Sequence, residues 1–289
     1  MIALGEGSLS KMTVLLNESE SSPVSYTLSL GDNTLNLNEL VGKRIKLHYQ
    51  GKITCSHCGR NTRKSFAQGH CYPCLTKLAS CDVCIMSPEK CHFSAGTCRE
   101  PEWGQQFCMA PHIVYLANSS GLKVGITRET QVPTRWIDQG AIEAIPVFRV
   151  STRLLSGLVE VAFKQHVSDR TNWRTMLKGQ VSELNLVAER AKLLALVADD
   201  IDKIRAENPE EVIELIETQS KTSISYPVDV WPEKVVSHNL DKTPDVEGVL
   251  MGIKGQYLML DTGCINIRKF GSYHVELSVE DSSIEKITD

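Results

Sequence analysis

Nine of the ten cysteines of this 289-residue chain fall between Cys55 and Cys108, and only Cys264 stands apart. That clustering constrains the fold more than any other feature. Residues 55–110 hold too few aliphatic side chains to close a core of their own, so something other than hydrophobic burial must hold them. Disulfides are one answer and metal is the other, and the compartment decides between them. Met1 to Leu16 lack a basic start followed by an apolar run, and no stretch of about 18 apolar residues occurs, so neither a secretory leader nor a membrane span is expected. The expected location is the cytoplasm, with no membrane partner. Thiols there are mostly free or bound to metal.

The spacing favours metal. Cys55-Ser-His-Cys58 and Cys71-Tyr-Pro-Cys74 are two Cys-x-x-Cys turns separated by twelve residues. Each turn brings two thiolates to one side, and together they make the tetrahedral sulfur set that zinc prefers. Cys81-Asp-Val-Cys84 starts a second set, followed by Cys91, Cys98 and Cys108. Cys81, Cys84, Cys98 and Cys108 are the expected second ligand group, leaving Cys91 over, with His70, His92 and His112 as spare nitrogen donors. Two structural zinc ions are therefore expected, each contributing on the order of 10 kcal/mol to folding. An iron–sulfur cluster also takes four thiolates, but its familiar spacings are absent. Four closed sulfur positions leave no room for substrate, so these ions are scaffolding.

Around this module the chain has ordinary globular composition, 42% hydrophobic and 23% charged. Five segments are expected. Residues 1–54 read as strands, including Ser25 to Leu30 and Arg44 to Tyr49, and 55–110 form the zinc module. Residues 111–180 form an α+β core: a hairpin of Ile113–Leu116 and Leu122–Ile126, a short helix after Pro133, a strand from Ile145 to Val150, and a helix over 151–167. Residues 181–222 read as one long and one shorter helix broken at Pro209, with Leu184, Val187, Ala191, Leu194 and Val197 on one face. Residues 223–289 read as an antiparallel meander of Leu250–Ile253, Tyr257–Leu260 and Ile265–Arg268. A few short strands alone are marginal in water, so the two termini are expected to share one β domain. The serine-rich stretch 19–25 reads as a loop.

Net charge is −4, but the signs are segregated. Lys43, Arg44, Lys46, Lys52, Arg60, Arg63, Lys64 and Lys77 occur between residues 40 and 80 without an acidic residue, whereas 183–217 are dominated by acids. A polyanion-facing surface or a solvated charged face would each look like this.

The residues from Tyr115 to Asn172 carry the catalytic candidates. Ile113-Val114-Tyr115 and Lys123-Val124-Gly125 lie on the expected hairpin, Arg135 follows in Thr134-Arg135-Trp136, Glu160 sits in the helix, and Asn172 comes twelve residues later. In this order the segment resembles the GIY-YIG nuclease superfamily, with lysine in place of the second tyrosine and Arg128 as a rival for the arginine. The resemblance implies phosphodiester hydrolysis at one divalent ion, Mg²⁺, held by Glu160. It also implies that Tyr115 positions or deprotonates the attacking water and that the arginine, Arg135, neutralises developing charge. Taken one at a time, Tyr115 is also an ordinary strand residue, Gly125 a bulge, and Glu160 the i,i+4 partner of Lys164.

Over nearly its full length, with Lys123-Val124-Gly125-Ile126-Thr127-Arg128 and Gly252-Ile253-Lys254-Gly255-Gln256-Tyr257-Leu258, the chain also resembles a family of bacterial proteins of unassigned function. The expected fold is thus α+β: a GIY-YIG-like core, a zinc-binding module and a β domain built from N- and C-terminal strands. The expected partner is DNA or RNA. A nuclease, a non-catalytic nucleic-acid binder with a degenerate nuclease core, and a protein-interaction scaffold all fit the sequence.

Overall fold

The structure, a computed structural model, describes residues 1–17, 19 and 22–280. Residues 20 and 21 of the serine-rich stretch, and the C-terminal segment beyond 280, lie outside the described residues. The chain divides into two compact units. The first comprises residues 1–75, 177–179 and 225–289, and the second 76–176 and 180–224.

In chain order the elements are β1 (Ile2–Ser8), β2 (Thr13–Leu15), β3 (Ser25–Leu30), β4 (Asn33–Asn36), β5 (Arg44–Ile53), α1 (Tyr72–Lys77) and α2 (Pro101–Phe107). Then come β6 (His112–Asn118), β7 (Leu122–Arg128), α3 (Thr134–Asp138), β8 (Glu143–Val150), α4 (Arg153–Lys164), α5 (Trp173–Leu177) and α6 (Leu186–Glu207). The chain ends with β9 (Ile213–Leu215), β10 (Thr222–Ser223), β11 (Asp245–Lys254), β12 (Tyr257–Leu260), β13 (Gly263–Asn266) and β14 (Tyr273–Val279). The protein is mixed α+β, and its sheets are antiparallel.

The first unit is built on a six-stranded sheet in the order β1-β14-β5-β11-β12-β13, with β2-β3-β4 as a second, three-stranded sheet. Strands from both ends of the chain are direct neighbours, since β14 pairs with both β1 and β5. Alternation explains the strands: Tyr26, Leu28 and Leu30 are buried in β3, as are Ile45 and Leu47 in β5, with polar neighbours between them turned outward. Arg44 and Lys46 lie on that outward face of β5. Lys46 meets Asp245 at 3.0 Å, and Arg44 meets Glu247 and Glu280, each at 3.7 Å. Part of the basic run is therefore neutralised by the strand beside it.

In the second unit β6 is central, flanked by β7 and β8, and β8 carries β9 and β10 on its far edge. Helix α4 lays Leu155, Val159, Ala162 and Phe163 against Val114, Leu116, Val124 and Val147 of the sheet, and α6 closes the same core with Leu186, Leu193, Val197 and Ile201. Each large side chain buried here contributes roughly 1.5–3 kcal/mol. The helix ends are capped. The Thr152 side chain accepts from Leu155 N at the start of α4, and that of Asn185 accepts from Ala188 N at the start of α6.

Several expectations need correction. No second helix follows Pro209. Ile213 and Leu215 turn inward with exposed Glu214 between them, and β8 offers an edge, so the segment becomes β9. The fully buried stripe of α6 is Leu186, Arg190, Leu193, Val197 and Ile201; of the apolar stripe expected, Val197 shares it and Leu184, Val187 and Leu194 pack at its edge, while Ala191 is exposed. The last meander strand is Gly263–Asn266, and Ile267–Phe270 instead form a 3₁₀ turn. The cysteine-rich segment is not one module. It divides after Leu75, its first half held by the sheet of the first unit and its second half packed on α4 in the second.

Candidate functional site

The four-cysteine centre lies in the first unit. Cys55 follows directly on Thr54 at the end of β5, and Gly59 takes φ +71°, where a side chain would be strained. That turn returns the chain so that Cys55 N donates to Arg60 O at 2.9 Å and Gly59 N to Cys55 O at 3.0 Å. The second knuckle is drawn in through Ser56 N to Gly69 O at 2.8 Å. Ser272 Oγ to Gly69 O at 2.8 Å and Ser65 Oγ to Gly271 O at 2.7 Å fasten it beside β14.

The sulfurs of Cys55, Cys58, Cys71 and Cys74 lie within 4.8 Å of one another. Cys58 and Cys71 are 3.7 Å apart, close to the ~3.8 Å edge of a tetrahedron with Zn–S near 2.3 Å. Burial pushes the Cys55 thiol up, but the backbone N–H groups of Cys58, Cys71 and His57 outweigh it and bring the group down to about 6. Burial and the neighbouring thiols push Cys74 up to about 12. Such crowded thiols repel one another as anions, and a bound cation relieves that repulsion. This group can hold a metal ion such as zinc.

The second unit brings together four of the five catalytic candidates. Tyr115 stands opposite Gly125 in the β6–β7 register, so its ring crosses the glycine. A Cβ at Gly125 would lie 2.7 Å from the ring's Cζ and hydroxyl. Gly125 is the space the tyrosine needs, not a bulge. The Tyr115 hydroxyl donates to Gln139 Oε1 at 2.9 Å. Burial pushes this phenol up to about 12 against the pull of Arg135. Lys123 is 4% exposed, its Nζ 3.4 Å from Thr171 Oγ1. The returning segment covers it through Val124 N to Ser168 O at 2.9 Å. Burial and nearby Arg135 bring Lys123 down to about 8, against the opposing pull of Glu160 and Asp169. Glu160 is half-buried and raised, first by burial and then by Asp169 and Glu89, with Lys164 and Lys123 acting the other way.

Arg135 therefore shares one electrostatic environment with Tyr115 and Lys123, and Glu160 with the same two residues. Arg128 is elsewhere, its guanidinium 4.7 Å from the centre of the Phe107 ring. Lys164 is bound to Asp169 at 3.0 Å, so the helix pair with Glu160 is not its main contact. Asn172 does not join the cluster by its side chain, whose Oδ1 accepts from Arg174 N and Thr175 N at the start of α5. Gln139, Thr171, Asp169 and Glu89 were not read from the sequence. Gln139 alone had a signal, standing four residues after Arg135, just beyond the same short helix.

Of the remaining expected metal ligands, Cys84 and Cys108 are buried and Cys81 and Cys98 half-buried. Cys91, left over in the sequence reading, shares a thiol hydrogen bond with Cys108, whereas Cys81 lies 4.0 Å from the Ser80 hydroxyl.

Fold and site together define a mixed α+β protein with a four-cysteine cluster able to hold a metal ion. The chain belongs to the family described as a protein of unknown function, DUF2797, whose model matches residues 42–275. Comparison with curated proteins and with solved structures finds no match for it. Among the described residues, no helix is long and apolar enough to cross a membrane.

Proposed function

We propose that this protein is a divalent-metal-dependent nuclease of the GIY-YIG type that hydrolyses phosphodiesters of DNA or RNA, with Tyr115, Lys123, Arg135 and Glu160 as its working groups. The observation that carries the reading is the meeting of a phenol, an amine, a guanidinium and a carboxylate drawn from β6, β7, α3 and α4 in one electrostatic cluster. Titratable groups of both signs whose acidities are shifted by burial and by one another gather preferentially at functional sites.

Mg²⁺ keeps most of its waters and takes one or two carboxylates plus substrate phosphate. Glu160, with Asp169 and Glu89 in its field, is such a donor set, and Glu160 would hold the ion. When bound, that ion would polarise the phosphate and ease departure of the leaving oxygen. Arg135, half-exposed, faces the developing negative charge. Lys123, brought down to about 8, is the better proton acceptor near neutral pH. Tyr115, pushed up to about 12, keeps its proton and orients rather than deprotonates the attacking water.

Nicking of plasmid and structured RNA with Mg²⁺, wild type against Glu160→Ala, tests the proposal. Loss of about 10²–10³-fold in cleavage supports it. A second reading, a non-catalytic nucleic-acid binder, is favoured by the exposed cations Lys52, Arg60, Arg63 and Lys64 beside the four-cysteine centre, near exposed Tyr72. Equal binding without cleavage in both proteins would select that reading. Absence of any affinity at low salt would select a protein-interaction scaffold.

A further inference from the structure

In the second unit the chain from Ala79 to Lys90 folds as three short 3₁₀ turns, Ala79–Cys81, Val83–Ile85 and Pro88–Lys90. Two of its apolar side chains point outward, Val83 at 63% exposure and Met86 at 86%, so hydrophobic burial alone does not close this stretch. Yet the Pro88–Lys90 turn is fixed in place, because α4 packs on it with Gly157 at the contact. Asp82 and Cys84 precede that turn and His92 follows it, and the donor atoms of the three lie within 4.8 Å of one another. Of the four cysteines expected to bind a second ion, Cys84 alone belongs to this group.

We propose that Asp82, Cys84 and His92 bind a zinc ion that closes the loop around the Pro88–Lys90 turn and keeps water in its fourth position. The histidine is prepared for this. Thr97 Oγ1 donates to the His92 carbonyl at 3.4 Å, so its oxygen is free to accept from His92 Nδ1 at 2.8 Å. That bond keeps the ring proton on Nδ1 and turns the Nε2 lone pair toward Asp82 Oδ2, 3.4 Å away. Two electron-rich atoms therefore face each other. The separation is long for an N–H···O bond, but it matches the edge of a zinc tetrahedron with nitrogen and oxygen ligands, about 3.3 Å. A hydrogen-bonded Nδ1–H is also how metal-bound histidines fix their rings.

The carboxylate is oriented by its neighbours and not used up by them. Val83 N donates to Asp82 Oδ1 at 2.6 Å, and Arg99 Nε meets Oδ2 at 2.8 Å while its Nη1 donates to Leu78 O at 3.3 Å. A carboxylate offers about four acceptor positions, so Oδ2 keeps one for a metal. Zinc with one thiolate and one carboxylate has no net charge, and the Arg99 guanidinium then faces a neutral complex. Burial and the adjacent Asp82 carboxylate push the Cys84 thiol up, and a cation between the two groups removes that conflict. Sulfur and imidazole together select zinc over magnesium or calcium. The side chains of His92 and Asp82 are 33% and 12% exposed, which lets water reach the remaining position. This site goes beyond the nuclease reading and does not rest on it.

Metal counting on the full-length protein decides the matter. After equilibrium dialysis against zinc, elemental analysis is expected to give two ions per chain in wild type, Cys91→Ser and Cys98→Ser, and one in His92→Ala and Asp82→Ala. One ion in wild type, a His92→Ala protein that matches wild type, or an ion lost from Cys91→Ser overturns the proposal. Should the variants aggregate, cobalt titration of the apo wild type suffices. Thiolate-to-cobalt absorption is expected to rise steeply while the four-cysteine cluster fills, then at about a quarter of that slope over a second equivalent, one thiolate against four. Equal slopes would put the second ion among the other thiols, and a single phase would leave no second ion; either overturns it. Two zinc ions in a protein that cleaves nothing would sink the nuclease reading alone.

Discussion

At the scale of single residues, two positions show how burial sets chemistry. Gly125 has an ordinary extended conformation, so its need for hydrogen is purely steric: the Tyr115 ring fills the space above it. Gly125→Ala should cost about 1–3 kcal/mol, the usual penalty of overpacking. The same change in a Tyr115→Leu background should cost clearly less, because the clashing atoms are gone. Thermal or urea melts of the four proteins measure this, and equal costs in both backgrounds would show that the ring is not the obstacle.

Lys254 is the opposite case, fully buried with no hydrogen-bond partner for Nζ among the described residues. Its ammonium lies 5.2 Å from the Tyr226 ring centre and 5.1 Å from that of Trp231. Two rings offset part of the desolvation. Burial still dominates, drawing the group from 10.5 to about 8. The unfolded chain therefore binds more protons than the folded one between about pH 8 and 10.5, and stability rises with pH across that window. The shift corresponds to roughly 3 kcal/mol. Lys254→Met should be more stable than wild type at pH 7, and the difference should shrink toward pH 10. Lys123, also low, adds a rise of the same sign in both proteins, so the wild-type-minus-variant difference is the quantity to plot.

At the scale of elements, legibility in the sequence followed the locality of the cause. The hairpin of β6 and β7, strand β8 and helix α4 were readable because alternation and helical spacing are properties of consecutive residues. Cys55, Cys58, Cys71 and Cys74 were readable because two tight turns impose their spacing. What escaped was decided by distant partners. Strand β9 exists because β8 has an edge to fill, Arg190 is buried on α6 only where the carbonyl of Ile216 comes round to meet it, and Cys91 and Cys108 act on one another only once segments seventeen residues apart fold together. Likewise Glu89 meets Glu160 only because α4 lies on the turn Pro88–Lys90, with Gly157 at the contact.

That contact makes a counter-intuitive prediction. In an exposed helix Gly→Ala gains about 1 kcal/mol. In α4, Gly157→Ala must drive Pro88 and Glu89 away, and the expected outcome is a net loss of about 1–3 kcal/mol. Under the nuclease reading cleavage should fall as well, since Glu160 is three residues along the same helix. A stabilised variant in a denaturant melt would show that the packing yields easily.

At the scale of the whole molecule the question is how a chain of net charge −4 would hold a polyanion. Its summed field repels one, so any attraction has to be local and within about one Debye length, near 10 Å at 0.1 M salt. The basic run of the sequence overstates what is available, because Arg44 and Lys46 are paired with Glu247, Glu280 and Asp245. Lys52, Arg60, Arg63 and Lys64 are exposed and carry no carboxylate partner among the described residues, and they cluster around the four-cysteine knuckles. Under either nucleic-acid reading these cations make the phosphate contacts, each adding about 0.7–0.9 to the slope of log K against log salt. Changing Arg60, Arg63 and Lys64 together to Glu should therefore weaken binding to single-stranded or duplex DNA and flatten that slope by about 2–3, while the protein still holds its metal. Filter binding across a salt series makes the measurement. An unchanged slope would move the phosphate contacts off the knuckles, and a metal bound there would then serve the fold of its own unit alone.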